Sequence, residues 1–298
     1  MNPLVSVVIT TKNEEKNIEN CIKSILEQSY KNIEIIVVDN FSSDRTKEIA
    51  LKFTNNVYDQ GPERSAQRNY GMIDKSSGEY VMFVDADMIL SFNLIDCCVQ
   101  RIEIENVFAL WISEIVLGKH FFSKCRRFER NFYDGTVVDG ARFFRKDKFV
   151  AVGGFDVNMS GPEDWDIDKK IGRDNIRLLG DCKQDLVLNR DWYFFDFIKE
   201  RGADPNNHNA VIFHNESEFD LKKYLNKKSY YAKSFNNYIE KWGNNDQDIK
   251  KQLGFNYRYF GIFLEKGKWK KLLSHPFLAV GMYFLRGAVG VVYLFNRK

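Results

Sequence analysis

The sequence predicts an α/β fold, a mainly parallel mixed sheet flanked by helices and followed by a C-terminal helical appendage. Three observations predict it. Over roughly the first 90 residues, short apolar β-branched runs alternate with stretches of helical spacing, the pattern of βαβ units. Acidic residues stand at the ends of those runs, Asp39 after one and Asp85 and Asp87 after another, where open sheets of this class place their ligands. The 298 residues are 44% hydrophobic and 29% charged, enough for one or two packed cores and unlike a disordered or fibrous chain.

Taken in order, Val5 to Thr10 reads as the first strand, and the helix after it puts Ile18, Ile22, Ile25 and Leu26 on one face. Ile33 to Val38 is the second strand. A second helix begins near Ser43, with Thr46, Ile49, Ala50 and Phe53 inward, before a short strand near Val57. A helical stretch from Ser65 to Asp74 leads into the strand Tyr80 to Val84. Beyond it the pattern is mixed: a helix from Ser91, a β-rich run Val107 to Leu117, a basic aromatic helix from Phe121 to Tyr133, and a turn at Gly153-Gly154, with antiparallel additions to the sheet expected here. After Asp220 the composition shifts to Lys, Tyr, Phe and Asn at helical spacing. The predicted division is therefore a body over 1–220 and a basic, aromatic region over 221–298, with no repeats or long linkers.

The formal net charge of +3 conceals an asymmetry. Up to Leu221 there are 28 basic and 37 acidic residues, and after it 16 and 4, so −9 and +12 add to +3. An acidic body with a basic tail suits an anionic surface met by one end only. The five cysteines are odd in number and hold no C-x-x-C pair, so neither a disulfide framework nor a zinc knuckle is expected, and a reducing compartment is the default. Leu4 to Ile9 lacks a basic region before it, which argues against a secretory signal.

Asp85-Ala86-Asp87 is the sharpest local feature. At a strand end the chain can turn, so one carboxylate can bind a hard divalent cation while the other reaches a second group. Mg²⁺ or Mn²⁺ held there would bridge phosphate oxygens. Arg64 and Arg68, four apart, share a helical face, and their mutual repulsion would be relieved by an anion between them. Glu163-Asp164 opens a helical run after the turn-rich Ser160-Gly-Pro162, a place where acids also serve as plain helix starts. Asp44 with Thr46 reads as such a start. His214 follows the β-like run Val211 to Phe213; His120, His208 and His275 receive no role.

In order and spacing, Val5 to Glu14 (VSVVITTKNE), Ile36 to Thr46 (IVVDNFSSDRT), Arg68-Asn-Tyr-Gly71, Phe83 to Asp87 (FVDAD) and Gly161 to Asp164 (GPED) resemble the family 2 glycosyltransferases of GT-A fold. The resemblance is strong over roughly the first 90 residues, moderate to about Asn215 and thin beyond. It implies a GT-A catalytic domain over 1–220, with a nucleotide-binding half (1–90) and an acceptor-binding half (91–220). It also implies transfer of a sugar from a nucleotide-sugar donor, UDP favoured, to a hydroxyl. Thr10, Thr11, Asn13 and Glu14 would line the nucleotide pocket, although Asn13 could instead cap a helix, and Asp39 would accept a hydrogen bond from the base unless it is a surface turn acid. Arg68, with Arg64 beside it, Asp85 and Ala86 would contact the donor. Asp87, Asp85 and His214 would hold Mn²⁺ or Mg²⁺. Asp164 would be the general base of an inverting transfer, with Glu163 binding the acceptor or positioning.

Two other readings compete. A sugar-phosphate nucleotidyltransferase would normally carry a Gly-rich phosphate loop, and the segment after Ile9 has Lys12 but no glycine. A catalytically inactive membrane-associated nucleotide-sugar-binding protein would have no need of Asp85, Asp87 and Asp164 together. A dinucleotide-dependent dehydrogenase is excluded because no G-x-G-x-x-G follows the first strand.

Phe277 to Phe295 is close to the roughly 20 residues that span a bilayer. Its Phe, Leu and Val residues favour insertion by about −3 to −6 kcal/mol, and Arg286 in the middle opposes it by roughly +2.5 to +3.5. Gly281, Gly287 and Gly290 weaken the helix further. With Lys266, Lys268, Trp269, Lys270 and Lys271 upstream, the expectation is a peripheral or monotopic anchor at the cytoplasmic face of the cell membrane. There a polyprenyl-linked sugar or growing envelope glycan would be the acceptor. Packing of the same segment on the body or on a second subunit is the alternative, so an oligomer could form through it. No nucleic-acid signature accompanies the Lys- and Tyr-rich run Leu221 to Lys241, and no nucleic-acid partner is expected.

Overall fold

A computed structural model describes residues 2–180, 182, 192–205 and 210–296. Its first part consists of β1 (Val5–Thr11), α1 (Ile18–Leu26), β2 (Ile33–Asp39), α2 (Thr46–Ala50), β3 (Val57–Asp59), α3 (Arg64–Asn69), β4 (Tyr80–Asp85), β5 (Met88–Leu90) and α4 (Leu94–Glu105). There follow β6 (Ala109–Trp111), β7 (Glu114–Leu117), α5 (Phe121–Arg130), β8 (Ala141–Arg145), α6 (Lys146–Ala151), α7 (Glu163–Ile171), β9 (Ile176–Leu178), α8 (Phe195–Glu200) and β10 (Ile212–Asn215). The last part is helical: α9 (Leu221–Ala232), α10 (Phe235–Trp242), α11 (Gln247–Leu253), α12 (Ile262–Leu264), α13 (Trp269–Ser274) and α14 (Pro276–Asn296).

Seven strands form the central sheet in the order β3-β2-β1-β4-β8-β6-β9. β1 lies between β2 and β4, parallel to both, and all seven of its residues are buried. Burial on both faces is why these strands read as continuous Val and Ile runs rather than as alternating ones. The register sets Thr10 beside Val38 and Asp85, and Thr11 beside Asp39, so the polar strand ends form one edge. β8 enters antiparallel to both β4 and β6, as expected for the second half. A smaller sheet, β5-β10-β7, stands beside it and pairs His214 with Met88, next to Asp87.

Several expectations need correction. Leu26 is exposed, and Cys21 takes its place inward with Ile18, Ile22 and Ile25, because position 26 is turned about 100° from 25 on a helix. The run Val107 to Leu117 is two strands in two sheets, β6 and β7. The helical stretch after Arg64 changes to a π-helical turn over Tyr70–Lys75. There Gly71 lies against Val8 and Val38, and a Cβ would come within 3.1 Å of the Val38 methyl, so glycine lets this segment press onto the sheet. The Lys- and Tyr-rich run is two helices, α9 and α10. Cys97 and Cys182 form a disulfide, Cα atoms 5.9 Å apart, against the expectation of none. An odd count leaves room for one pair, and 85 residues of separation hide it from a spacing argument.

The C-terminal helices share a core with the body. Phe128, Phe132, Tyr133 and Val138 pack with Ile262, Phe263 and Met282. In the middle of α14, Arg286 is buried and donates from Nε to Glu129 Oε1 (2.9 Å) and from Nη2 to the Tyr133 hydroxyl (3.1 Å). Its charge is thus compensated within the protein. By length and composition Pro276–Phe295 is apolar enough to cross a membrane, yet one face packs against the body and the other is bare.

Candidate active site

The site lies where β1, β2 and β4 end. Asp39, at the end of β2, is fully buried, and Ser42 donates both its N–H (2.6 Å) and its hydroxyl (2.5 Å) to the carboxylate. It is therefore no surface turn acid. Asn13 adopts a left-handed φ of 55° and caps no helix: its N–H donates to Ser42 Oγ (2.7 Å) and its Oδ1 accepts from the Ser43 N–H (2.8 Å). The loops after β1 and β2 are thereby tied together. Glu14 donates its N–H to Thr46 Oγ1 (2.8 Å) and accepts from Asn17 Nδ2 (2.7 Å). Burial raises its carboxyl above the usual range despite the Asn17 hydrogen bond, and Asp87 pushes the same way. Thr11 Oγ1 is buried without a partner, a polar atom available to a ligand at this edge. Asp44 accepts from the Thr46 N–H (3.0 Å), as a helix start should.

Arg68 organises the centre. Its side chain is 1% exposed, lies 3.9 Å over the Phe83 ring, and donates to Asp164 (3.0 Å) and Asp85 (3.3 Å), with Glu163 at 3.7 Å. Arg64 donates to Glu163 (2.9 Å). The two arginines do find anions, but those anions are the protein's own carboxylates. Burial opposes ionisation of Asp85, yet Arg68, Arg142 and Arg64 together hold it well below its usual range. Thr10 also donates to it (3.3 Å). Ala86 is buried between the two aspartates.

Asp87 turns the other way and meets His214, with Nε2 and Oδ2 3.1 Å apart. Burial disfavours the imidazolium, but Asp87, Glu114 and Glu216 outweigh it and raise His214 to about 10. Asp87 Oδ1 and His214 Nδ1 are buried with no hydrogen-bond partner. The orphaned Asp87 oxygen suits a hard divalent cation, with His214 beside that carboxylate through Nε2 while Nδ1 faces Glu114 (3.7 Å), although among the described residues no three such side chains stand as a finished cation cluster.

Asp164, the second residue of α7, is 30% exposed, open to a second substrate, whereas Glu163, which begins the helix, is 2% exposed and accepts from the Gly161 N–H. Burial and the adjacent Asp164 raise the Glu163 carboxyl against the pull of Arg64 and Arg68. One turn along α7, Asp168 accepts from Trp111 Nε1 (2.6 Å) and the Ala141 N–H (3.0 Å), fixing the helix to β6 and β8. Asn69 donates to the Phe155 carbonyl and accepts from its N–H, both 2.8 Å. Arg68 and Asn69 together therefore set the loops around Phe155 and Asp164 against the strand end that carries Asp85.

Sequence reasoning missed the support around these groups. Glu114 in β7 is buried with Arg130, Arg142 and His214, and Arg142 also lies 4.9 Å from the centre of the Phe83 ring. Gln67 donates to the carbonyls of Thr11 (3.1 Å) and Val38 (2.7 Å) and holds the two strand ends together. The available signal was a charged residue inside an otherwise apolar strand, Glu-Ile-Val-Leu and Ala-Arg-Phe-Phe.

The chain is similar to known proteins in sequence and in fold. The family profile described as Glycosyl transferase family 2 matches residues 6–157. The chain is 32% identical over 127 residues to the glycosyltransferase GlyG of Streptococcus pneumoniae, 41% of this chain and 40% of that protein. It is 37% identical over 109 residues to the GalNAc(5)-diNAcBac-PP-undecaprenol beta-1,3-glucosyltransferase of Campylobacter jejuni, 33% of this chain and 34% of that one. The matched region is thus well under half the length of these relatives. Among solved structures, the mannosyltransferase PcManGT of Pyrobaculum calidifontis, in complex with GDP-Man and Mn²⁺, superposes with a TM-score of 0.62 at 16% identity, covering 100% of this chain and 89% of that one. Residues 1–349 of S. aureus TarS in complex with UDP-GlcNAc give 0.52 at 17%, covering 96% and 81%. At these identities the likeness is one of fold.

Proposed function

The chain belongs to glycosyl transferase family 2, and from that premise we propose that it is a metal-dependent, inverting glycosyltransferase. It would move a sugar from a nucleoside-diphosphate donor, UDP favoured, to a hydroxyl of a lipid-linked sugar or cell-envelope glycan. One observation carries the reading: Arg68 joins Asp85, at the metal loop, to Asp164, at the mouth of the acceptor side. Residues 1–90 would bind the nucleotide, 91–220 the acceptor, and 221–298 would keep the site at the cytoplasmic face of a membrane, with self-association through the same region as the alternative.

In this reading Thr10, Thr11, Asn13, Glu14 and Asp39 receive the nucleoside. Asp87, with Asp85 and His214, would hold Mn²⁺ or Mg²⁺, which when bound neutralises charge on the donor diphosphate. Asp164 accepts the proton of the acceptor hydroxyl as its oxygen bonds to the anomeric carbon. The bond from that carbon to the diphosphate oxygen breaks on the opposite face, and the electron pair leaves with the nucleotide. Glu163, too deep to touch an acceptor, holds Arg64 and Arg68 in place. Lipid-linked acceptors are favoured by the undecaprenol-linked sugar in the name of the Campylobacter relative and by the bare apolar face of α14.

The test is a nucleotide-sugar panel with Mn²⁺ or Mg²⁺. Asp164→Asn should bind nucleotide normally and lose turnover by about 10²-fold or more. Asp87→Ala should abolish metal-stimulated nucleotide binding. An unchanged rate in Asp164→Asn removes it as base, and unchanged binding in Asp87→Ala removes the metal assignment.

A further inference from the structure

The Lys- and Tyr-rich helix α9 has no part in the chemistry so far, although it lies along the site. Tyr231 packs on Gly161, whose added Cβ would lie 2.8 Å from the tyrosine Cβ, and Arg64 stands 5.1 Å over its ring. One turn and more before it, Tyr224 carries Arg126 at 5.1 Å, and Arg126 donates to Glu216 (3.2 Å), two residues from His214. Between the two rings sits Lys228, 5.5 Å from Tyr224 and 5.8 Å from Tyr231, and Lys227 lies 6.0 Å from Tyr231. Four cations and two tyrosines thus alternate along α9, from the metal end of the cleft to the base end.

The four are not equivalent. Arg126 is paired with Glu129 and Glu216, and Arg64 with Glu163. Neither Lys227 nor Lys228 has a carboxylate within ion-pair distance among the described residues. Burial, with Arg126 and Lys227 adding to it, lowers the Lys228 ammonium to about 7. Lys227 in turn acts on the carboxylates of Asp85 and Glu14 across the cleft. Like charges on one helix, with Lys228 drawn partly out of water and neither lysine in a direct ion pair, raise the free energy of the empty protein, and an anion placed between them lowers it.

The geometry points to Lys227 and Lys228, backed by Arg126, as a subsite for a diphosphate group. Tyr224 and Tyr231 hold the two ammonium groups in place. A diphosphate matches in charge, and this inference rests on the glycosyl-transfer reading only for its two sources: the nucleoside diphosphate of the donor, or the diphosphate that links an acceptor to a polyprenyl chain. α9 packs directly against α14, so a lipid diphosphate could reach it from that side.

Titration calorimetry on the full chain in EDTA, with inorganic pyrophosphate, UDP and a short prenyl diphosphate, decides the matter. The Lys227→Gln/Lys228→Gln variant should bind pyrophosphate at least about tenfold more weakly, with an unchanged melting temperature. Lys228→Arg should keep most of the affinity. Weakened UDP binding alone assigns the subsite to the donor, weakened prenyl diphosphate alone to the acceptor, and both together to a shared anion site. An unchanged pyrophosphate affinity in the double variant, or no pyrophosphate binding by the wild type, overturns the subsite. Pyrophosphate binding needs no sugar transfer, so loss of the subsite and loss of the catalytic reading are separately visible.

Discussion

Arg68 shows how much a single side chain organises here. Among the described residues it is the largest fully buried side chain, charged, and in contact with three carboxylates and the rings of Phe83 and Phe155. Buried ion groups of this kind are compensated only while all their partners are present. Arg68→Met leaves Asp85 and Glu163 without their main counter-charge and should destabilise the fold by about 3–5 kcal/mol in urea denaturation. Arg68→Lys should recover only part, because an ammonium cannot fork between two carboxylates or lie flat on Phe83. A loss below about 1 kcal/mol in Arg68→Met would mean that the carboxylates are held by Arg64 and Arg142 instead. The motif Arg68-Asn-x-Gly71 was legible in the sequence, but its partners Asp164 and Phe155 were not, since they lie almost a hundred positions away and only folding brings them together.

Whole elements differ in how plainly the sequence announces them. β1, β2 and β4 are legible because a strand buried on both faces is mostly apolar, and the aspartates that end β2 and β4 mark the edge where a ligand is expected. β6, β7 and β10 are short, and which sheet each joins depends on contacts distant in sequence. α14 is legible as a hydrophobic helix, but not which face packs. Two of its glycines test the packing. A Cβ at Gly281 would meet Cys125 and come within 2.7 Å of the Phe121 ring, whereas at Gly287 nothing lies within 4 Å. Gly281→Ala should therefore cost about 1–3 kcal/mol by forcing α14 off α5. Gly287→Ala should stabilise by roughly 0.5–1 kcal/mol through helix propensity. Equal shifts in melting temperature would exclude this docking. The same junction carries a pH dependence. Burial opposes ionisation of Glu129, but Arg286 and Arg126 outweigh it and lower its pKa from 4.5 to about 2. A folded-state value below the unfolded one means the stabilisation, roughly 3 kcal/mol, is complete above about pH 4.5 and lost as pH falls toward 2. Proteolytic release of α14 should accelerate over that window, and in Glu129→Gln it should be fast already at pH 7.

At the scale of the whole molecule the charge asymmetry and the shape of α14 address one question, what covers its bare face. Phe277, Val280, Phe284, Val291 and Leu294 recur at spacings of 3, 4, 7 and 3 and are all more than half exposed. Met282 and Leu285 point into the body, and Arg286 is neutralised there by Glu129. A spanning helix would have to leave those contacts, while a helix lying in the membrane plane keeps them and covers the stripe. The residues after Leu221 supply 16 cations against 4 anions, and each cation near an anionic leaflet adds about 1 kcal/mol. The chain should therefore sediment with vesicles containing anionic lipid, weakly with neutral ones, and less as salt is raised. Phe277→Asp/Val280→Asp/Phe284→Asp should abolish that binding and leave transfer to a soluble acceptor intact, because none of the three touches the site. If the triple variant binds vesicles as the wild type does, the stripe is not the contact. If it instead converts a dimer into a monomer by light scattering, a second copy of the chain covers this face, and the cationic region is then left to bind phosphate rather than membrane.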